Sequence, residues 1–231
     1  MVWEGGGREA PPYPDLLANL FLHYAFDMWM VREFPDIPFA RYADDAVCHC
    51  RSEEQARFLR DALEQRFTQC GLTLHPAKTK IVYCKDSNRR KQHPVTSFDF
   101  LGYTFRPRLS MNRWGKGFVS FSPAISNKAQ KAIRQTIRGW KLQLRSDKSL
   151  VDLSRMFGAT IRGWIRYYGV FYRSALLDVL RNIDRRLVLW AMHKHKRLRG
   201  HRRRAEEWLS RIRRSYPHLF PHWQLFQQAA A

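Results

Sequence analysis

A chain of 231 residues with a hydrophobic fraction of 45% can bury a real core and is too apolar for general disorder. Its 41 Lys and Arg stand against 20 Asp and Glu, a formal charge of +21, and such a surplus implies a polyanionic partner, with nucleic acid ahead of an anionic membrane surface. No apolar run is long enough to span a bilayer and no apolar signal-peptide core opens the chain, so a soluble, cytoplasmic protein that does not enter membranes is expected.

Residues 1–15 are rich in Gly and Pro, show no helical or strand period and read as loop. From Leu16 to Trp29 the sequence is largely apolar and helix-forming, and Pro35 and Pro38 end that run. Two β-prone segments then flank Asp44 and Asp45 within residues 39–50, which predicts a β-hairpin with both acids at its tip. Carboxylates fixed on a strand turn suit a hard divalent ion such as Mg2+, whose shell waters and substrate phosphates complete. Asp also bonds its own backbone in turns, so the dipeptide by itself reads as an ordinary turn. In Cys48-His49-Cys50 a strand puts the cysteines on one face and His49 on the other, a pattern of buried strand cysteines rather than a metal triplet. Four cysteines in a chain of this length suggest reduced thiols and no disulfide framework.

Ser52, followed by Glu53 and Glu54, has the form of an N-cap with acids at the positive end of a helix, and Ala56, Leu59, Leu63 and Phe67 recur at helical spacing. That helix is expected to pack on a sheet. Gly71 ends it, and Leu72, Leu74 and the run Ile81 to Cys84 predict short strands. Ser87 to His93 is a polar, basic connection. The aromatic alternation from Phe98 to Phe105 around Gly102 predicts a hairpin or bulged strand, and Gly117 to Phe121 another β segment.

Beyond Pro123 the chain becomes helical and more basic. Ser126 and Asn127 are candidate caps for a helix over residues 128–144, followed by helices over 150–168 and 175–194. In the third, Leu176, Leu180, Ile183, Leu187 and Trp190 alternate spacings of four and three, as a bundle seam does. Ile-Arg-Gly-Trp occurs at Ile137 and again at Ile161, too short a repetition to establish a repeat. The basic stretch from His193 to Arg204 precedes a short helix around Trp208 and Leu209. A basic run is most often a solvated face; interleaved here with histidines and aromatics across a bundle, it points to phosphate contacts.

Several of these stretches, in this order, resemble the C-terminal half of bacterial group II intron reverse transcriptases and maturases. Leu16-Leu17-Ala18-Asn19-Leu20 resembles the family's motif before the active-site hairpin, and Tyr42-Ala43-Asp44-Asp45 its catalytic motif. Residues 71–80, Gly-Leu-Thr-Leu-His-Pro-Ala-Lys-Thr-Lys, are similar to the following lysine motif, and Phe100-Leu101-Gly102-Tyr103 to the primer grip. Residues 161–169, Ile-Arg-Gly-Trp-Ile-Arg-Tyr-Tyr-Gly, look like the signature of the maturase, or thumb, domain.

The resemblance implies an α+β chain: a partial polymerase palm, with a short antiparallel sheet and helices, over residues 16–123, then an all-α basic thumb or maturase bundle over 124–223 and a tail over 224–231. It implies Asp44 as principal Mg2+ ligand and Asp45 as its neighbour, with Lys78 near the triphosphate of an incoming dNTP. Lys78 is equally described as an exposed lysine in a turn. Phe100, Leu101 and Gly102 would place the primer end, or form plain sheet core. Trp164, Tyr167 and Tyr168 fit bundle core better than base-stacking platforms, and the RNA contacts expected under the resemblance are Arg162, Arg166, Arg173 and Arg185.

The pattern departs from the family at its start. Residues 1–15 do not match, and the fingers and first palm segments, which carry another metal-binding aspartate, are expected upstream. The chain therefore reads as N-terminally truncated, as an out-of-frame or recombined start would produce. Three functions are compatible with this. One is RNA-directed DNA polymerase chemistry on group II intron RNA and a DNA primer or target, with a separate chain supplying fingers and upstream palm. Another is an RNA-binding maturase module without polymerase activity, and the third is a non-functional remnant.

Overall fold

The computed structural model describes residues 13–89 and 91–228. It forms two compact units, Met1–Val82 and Tyr83–Ala231. The fold class is α+β, with small antiparallel sheets and a helical C-terminal region.

In the first unit a continuous helical run comprises α1 (Tyr13–Leu22), a π-helical turn (His23–Asp27) and α2 (Met28–Glu33). At the π turn the Met28 N–H donates to the His23 carbonyl, one residue further back than in an α-helix. The loop expected over residues 1–15 is helix from Tyr13, because Pro14 sits in a first turn where its missing N–H costs no helical bond; residues 1–12 lie outside the described residues. Phe34, ahead of Pro35, leaves helical φ/ψ and closes the run. β1 (Phe39–Tyr42) and β2 (Asp45–Cys48) form the expected hairpin, with Tyr42 opposite Asp45 and Arg41 opposite Ala46.

α3 (Glu53–Gln69) starts at Ser52, whose hydroxyl accepts the Gln55 N–H at 3.1 Å. It ends as a Schellman motif, with Gly71 at φ 70°, Leu72 N–H donating to the Phe67 carbonyl and Gly71 N–H to that of Thr68. Leu59 packs with Phe26, Met30 and Ile37, and Phe39, Cys48, Leu63 and Phe67 close around them. The helix thus packs on the hairpin and on the preceding helical run together. No strand forms at Leu72, Leu74 or Ile81 to Cys84. Alternating apolar residues specify an extended backbone, but a strand also needs a neighbour to pair with, and Tyr83, whose N–H donates to the Val95 carbonyl, spends its own carbonyl on the Lys85 N–H two residues on.

The second unit begins with a sheet in the order β3 (Phe98–Phe100), β4 (Tyr103–Met111), β5 (Gly117–Ile125), antiparallel throughout. β5 runs past the expected Phe121 to Ile125, because its whole length pairs with β4. Ser126 then caps α4 (Asn127–Gly139), accepting the Ala129 N–H at 3.1 Å. This helix stops short of the expected Leu144. Lys141 takes a left-handed φ of 49°, and Leu142–Leu144 form a separate 3-10 turn.

α5 (Leu150–Tyr168) opens on a capping box between Ser149 and Asp152. α6 (Arg173–Lys194) is the hub: Leu176, Leu180, Ile183, Leu187 and Trp190 are fully buried, and the helix touches β5, α4, α5, α7 (Arg202–Ser215) and α8 (Pro221–Gln228). The two Ile-Arg-Gly-Trp copies meet: Trp140 stacks on Trp164 at 5.5 Å and on Phe157 at 4.4 Å, with Ile137 and Ile161 buried nearby in the same core.

Candidate functional site

Ala43 and Asp44 are the two loop residues of the β1–β2 hairpin, and Asp45 is the first residue of β2. Ala43 has φ 53°, the positive angle that glycine usually supplies at the first central position of a hairpin turn. For alanine this conformation costs on the order of 1 kcal/mol. What holds it is Arg41. Its guanidinium donates to the Ala43 carbonyl at 2.8 Å, to both Asp27 oxygens at 2.7 and 2.6 Å, and to the Asn19 side-chain oxygen at 3.2 Å. The turn is thereby tied to the helical run by a fork-on-fork ion pair.

Strand alternation puts Arg41 on the core side, and places Tyr42 and Asp45 together on the other face. Asp44 and Asp45 are both exposed, and among the described residues no side chain engages either carboxylate. The hairpin tip thus offers two free oxygen donors while the cation beside it is already spent on Asp27.

Arg41 holds the Asp27 carboxyl below the usual carboxylate range, with His23 at 3.2 Å adding to the effect; burial opposes both. The side chains of Arg41 and Asp27 are only 13% and 21% exposed, so the pair is poorly screened. A carboxyl lowered on folding contributes stability that is present above its ordinary value, roughly 4, and is lost as pH falls through the folded one. Asp27→Asn is therefore expected to cost about 2 kcal/mol in urea unfolding at pH 7 and much less near pH 3. An equal cost at both pH values would show that the charge of Asp27 does not brace the turn.

Cys48 and Cys50 are half-buried against the first unit's core, and burial pushes the Cys48 thiol up to about 11. His49 is exposed, and among the described residues no group of three or more His, Cys, Asp or Glu is placed to hold a metal. Lys78 is exposed in a turn whose N–H donates to the His75 carbonyl at 3.1 Å.

The other predicted residues lie in the second unit. Leu101 and Gly102 are the two loop residues between β3 and β4, with φ 49° and 76°, both positive as a type I′ turn requires. α5 packs directly on this turn. Tyr167 donates its hydroxyl to the Leu101 carbonyl at 2.8 Å, and Tyr103 donates its own to the Tyr167 carbonyl. A Cβ on Gly102 would stand 2.8 Å from the Tyr168 hydroxyl, so only glycine fits both the angle and the space. Phe100 is half-buried in β3 opposite Tyr103. The structure therefore joins two stretches far apart in sequence, the Phe-Leu-Gly-Tyr turn and the Tyr-Tyr end of α5.

Arg162 and Arg166 are exposed one turn apart on α5, and Arg185 is exposed on α6. Arg173, at the start of α6, donates to the Gly169 carbonyl at 3.1 Å and so also satisfies the end of α5. Sequence reading missed Arg41 and Asp27. The available signal was an acid inside an apolar helical run, since such a group needs a partner.

A comparison with curated proteins finds no match. Two family models match, in order along the chain. Residues 14–105 match reverse transcriptase (RNA-dependent DNA polymerase), a class whose polymerases use divalent metal ions. Residues 130–208 match the group II intron maturase-specific domain, and both kinds of domain bind nucleic acid. Among the described residues no helix is long and apolar enough to cross a membrane. With a reverse transcriptase match over the Asp44-Asp45 hairpin and a maturase-specific match over the basic helices that follow it in sequence, the chain belongs to the group II intron reverse transcriptases and maturases.

Proposed function

We propose that this chain supplies the polymerase turn and the RNA-gripping bundle for RNA-directed DNA synthesis and for splicing of a group II intron in the cytoplasm. The observation that carries the reading is the braced Tyr42-Ala43-Asp44-Asp45 hairpin lying within the reverse transcriptase match. A reverse transcriptase match and a maturase match on one chain disfavour a bare RNA-binding module or a remnant. In this reading residues 16–123 serve as palm and 124–223 as thumb.

The donor set at the hairpin fits Mg2+, which binds through one or two carboxylates and leaves the rest of its shell to water and phosphate oxygens. Asp44 and Asp45 would hold it, and when bound it supplies charge stabilisation for phosphoryl transfer to a primer hydroxyl. The chain's own residues position the reactants. Lys78 offers a cation to the dNTP triphosphate. The turn at Phe100, Leu101 and Gly102, stiffened by Tyr167, seats the primer end, and Arg162, Arg166, Arg173 and Arg185 take intron RNA phosphates.

Two neighbouring carboxylates hold an ion loosely, whereas a two-ion centre keeps its ions roughly 3.5–4 Å apart with ligands from more than one strand. Misplacement by about 1 Å already costs on the order of a hundredfold. Primer extension on an RNA template with Mg2+ is therefore expected to stay near background with this 231-residue chain alone. Adding the fingers and upstream palm of an intact relative as a separate chain should raise it, and Asp44→Ala should then remove the gain. Reconstituted synthesis indifferent to Asp44→Ala would sink the assignment of the hairpin. Robust synthesis by the chain alone would instead place a third ligand within it.

A further inference from the structure

Trp114, at the tip of the β4–β5 hairpin, is 74% exposed, the highest value among the large apolar side chains described. An indole in water forgoes a large area of burial. The loop around it is fixed. The Asn112 side-chain oxygen accepts the N–H groups of Trp114 at 3.0 Å and Lys116 at 2.9 Å. Its backbone carbonyl accepts the Gly115 N–H at 3.0 Å, and its own N–H donates to the Lys116 carbonyl at 3.0 Å. Gly115, at φ 76°, supplies the left-handed step. The ring is thus presented outward on a turn already in its final shape, so little ordering remains to be done on contact.

One face of the indole is taken. The Arg113 guanidinium carbon sits 4.1 Å from the ring centroid, a cation–π stack. The other face is open for a flat partner. The surroundings select its charge: between Asp99 and Asp147 the sequence holds ten Lys and Arg and no Asp or Glu. Sequence reading passed over this tip because Arg113-Trp114-Gly115-Lys116-Gly117 has no helical or strand period to mark it.

We infer that the β4–β5 hairpin tip is a stacking platform for an unpaired base of single-stranded nucleic acid, with Trp114 as the platform, Arg113 as its backing and Lys116 as the phosphate contact. This rests on the reading that the chain's polyanion is nucleic acid. Stacking needs only a π face, so the platform takes any base that is not already paired and is closed to a duplex interior. An anionic membrane is the competing surface, since Leu109 and Met111 are also exposed on β4 and an apolar tip with basic flanks can enter headgroups.

The test uses the full chain, fluorescence anisotropy at fixed salt, a labelled short oligouridine, and a blunt RNA duplex of the same length. Trp114→Ala is expected to weaken oligouridine binding between about fivefold and a hundredfold and to leave duplex affinity and the salt dependence unchanged. Trp114→Phe should keep most of the affinity. Unchanged duplex binding also certifies that the variant is folded. Equal affinity of wild type and Trp114→Ala for oligouridine, or equal losses on both RNAs, would overturn the platform while leaving the proposed function standing. Wild-type chain that binds neither RNA would overturn both. Trp114-dependent binding to phosphatidylcholine/phosphatidylserine vesicles with oligouridine affinity intact would assign the tip to a membrane instead.

Discussion

Affinity of the chain for structured RNA is expected to fall by about 10³- to 10⁵-fold between 50 and 200 mM salt, the loss that follows from neutralising roughly six to ten phosphates. The +21 charge is ample for that number. Arg162, Arg166 and Arg185 are the instructive subset, being exposed and, among the described residues, paired with no carboxylate, whereas Arg202 and Arg203 are paired with Glu206 and Glu207 one turn on. Reversing the charge of all three should weaken binding strongly and lower the salt slope by about one for each phosphate that is no longer neutralised. The same change at Arg89, Arg90 and Lys91 should do less. Filter binding across a salt series gives both quantities, and a flat series, or equal losses from the two triple variants, would refute a phosphate grip centred on α5 and α6.

Asp184→Ala should be the most damaging single substitution outside the hairpin. The Asp184 carboxylate accepts the Trp223 indole N–H at 2.8 Å, pairs with His222 Nε2 at 2.9 Å and with Arg213 at 3.3 Å, so one acid on α6 ties down α7 and α8. His222 and Trp223 are fully buried, and among the described residues His222 Nδ1 already has no hydrogen-bond partner. Truncation leaves two buried N–H groups without an acceptor, each a desolvation loss of about 1–3 kcal/mol, together with an unpaired Arg213. A loss of about 3 kcal/mol, or a fall in Tm of roughly 6–12 °C, is expected. Asp184→Asn keeps one acceptor oxygen and should lose less, and Arg213→Ala less again. Thermal unfolding followed by circular dichroism checks the order, and an Asp184→Ala chain as stable as wild type would show that the node carries no strength.

Local chemistry explains what the sequence disclosed. Ser52 and Ser126 cap helices because a hydroxyl three residues ahead of a free N–H needs no tertiary help, and the seam on α6 follows from period alone. The hairpin at Asp44 and Asp45 was readable for the same reason, while the stretch around Gly102 stood open between a hairpin and a bulged strand. The strands expected at Leu72 and Ile81 do not form, since pairing depends on a neighbour that alternation cannot name. Nor could spacing reveal that Arg41 meets Asp27, that Tyr167 meets Leu101, or that Asp184 meets Trp223: each partner is chosen by packing across many residues. Family resemblance pointed to Asp44 and Asp45, but the brace that stiffens their turn became visible only in three dimensions.

The wide turn at His23–Asp27 has a consequence for how this chain tolerates insertions and deletions. Surface loops absorb changes of length with little effect, but here one residue of slack is stored inside a helix. A π turn closes five residues in about the sweep that an α turn gives to four, so losing one of residues 23–26 would restore regular winding and leave the Tyr13–Leu22 part facing as before. Asn19 and Asp27 would still converge on one guanidinium from either side of the turn. A gap of a single codon there is therefore expected to spare the brace on the hairpin, whereas a gap of two would turn the Tyr13–Leu22 part by about 100° against Asp27 and undo it.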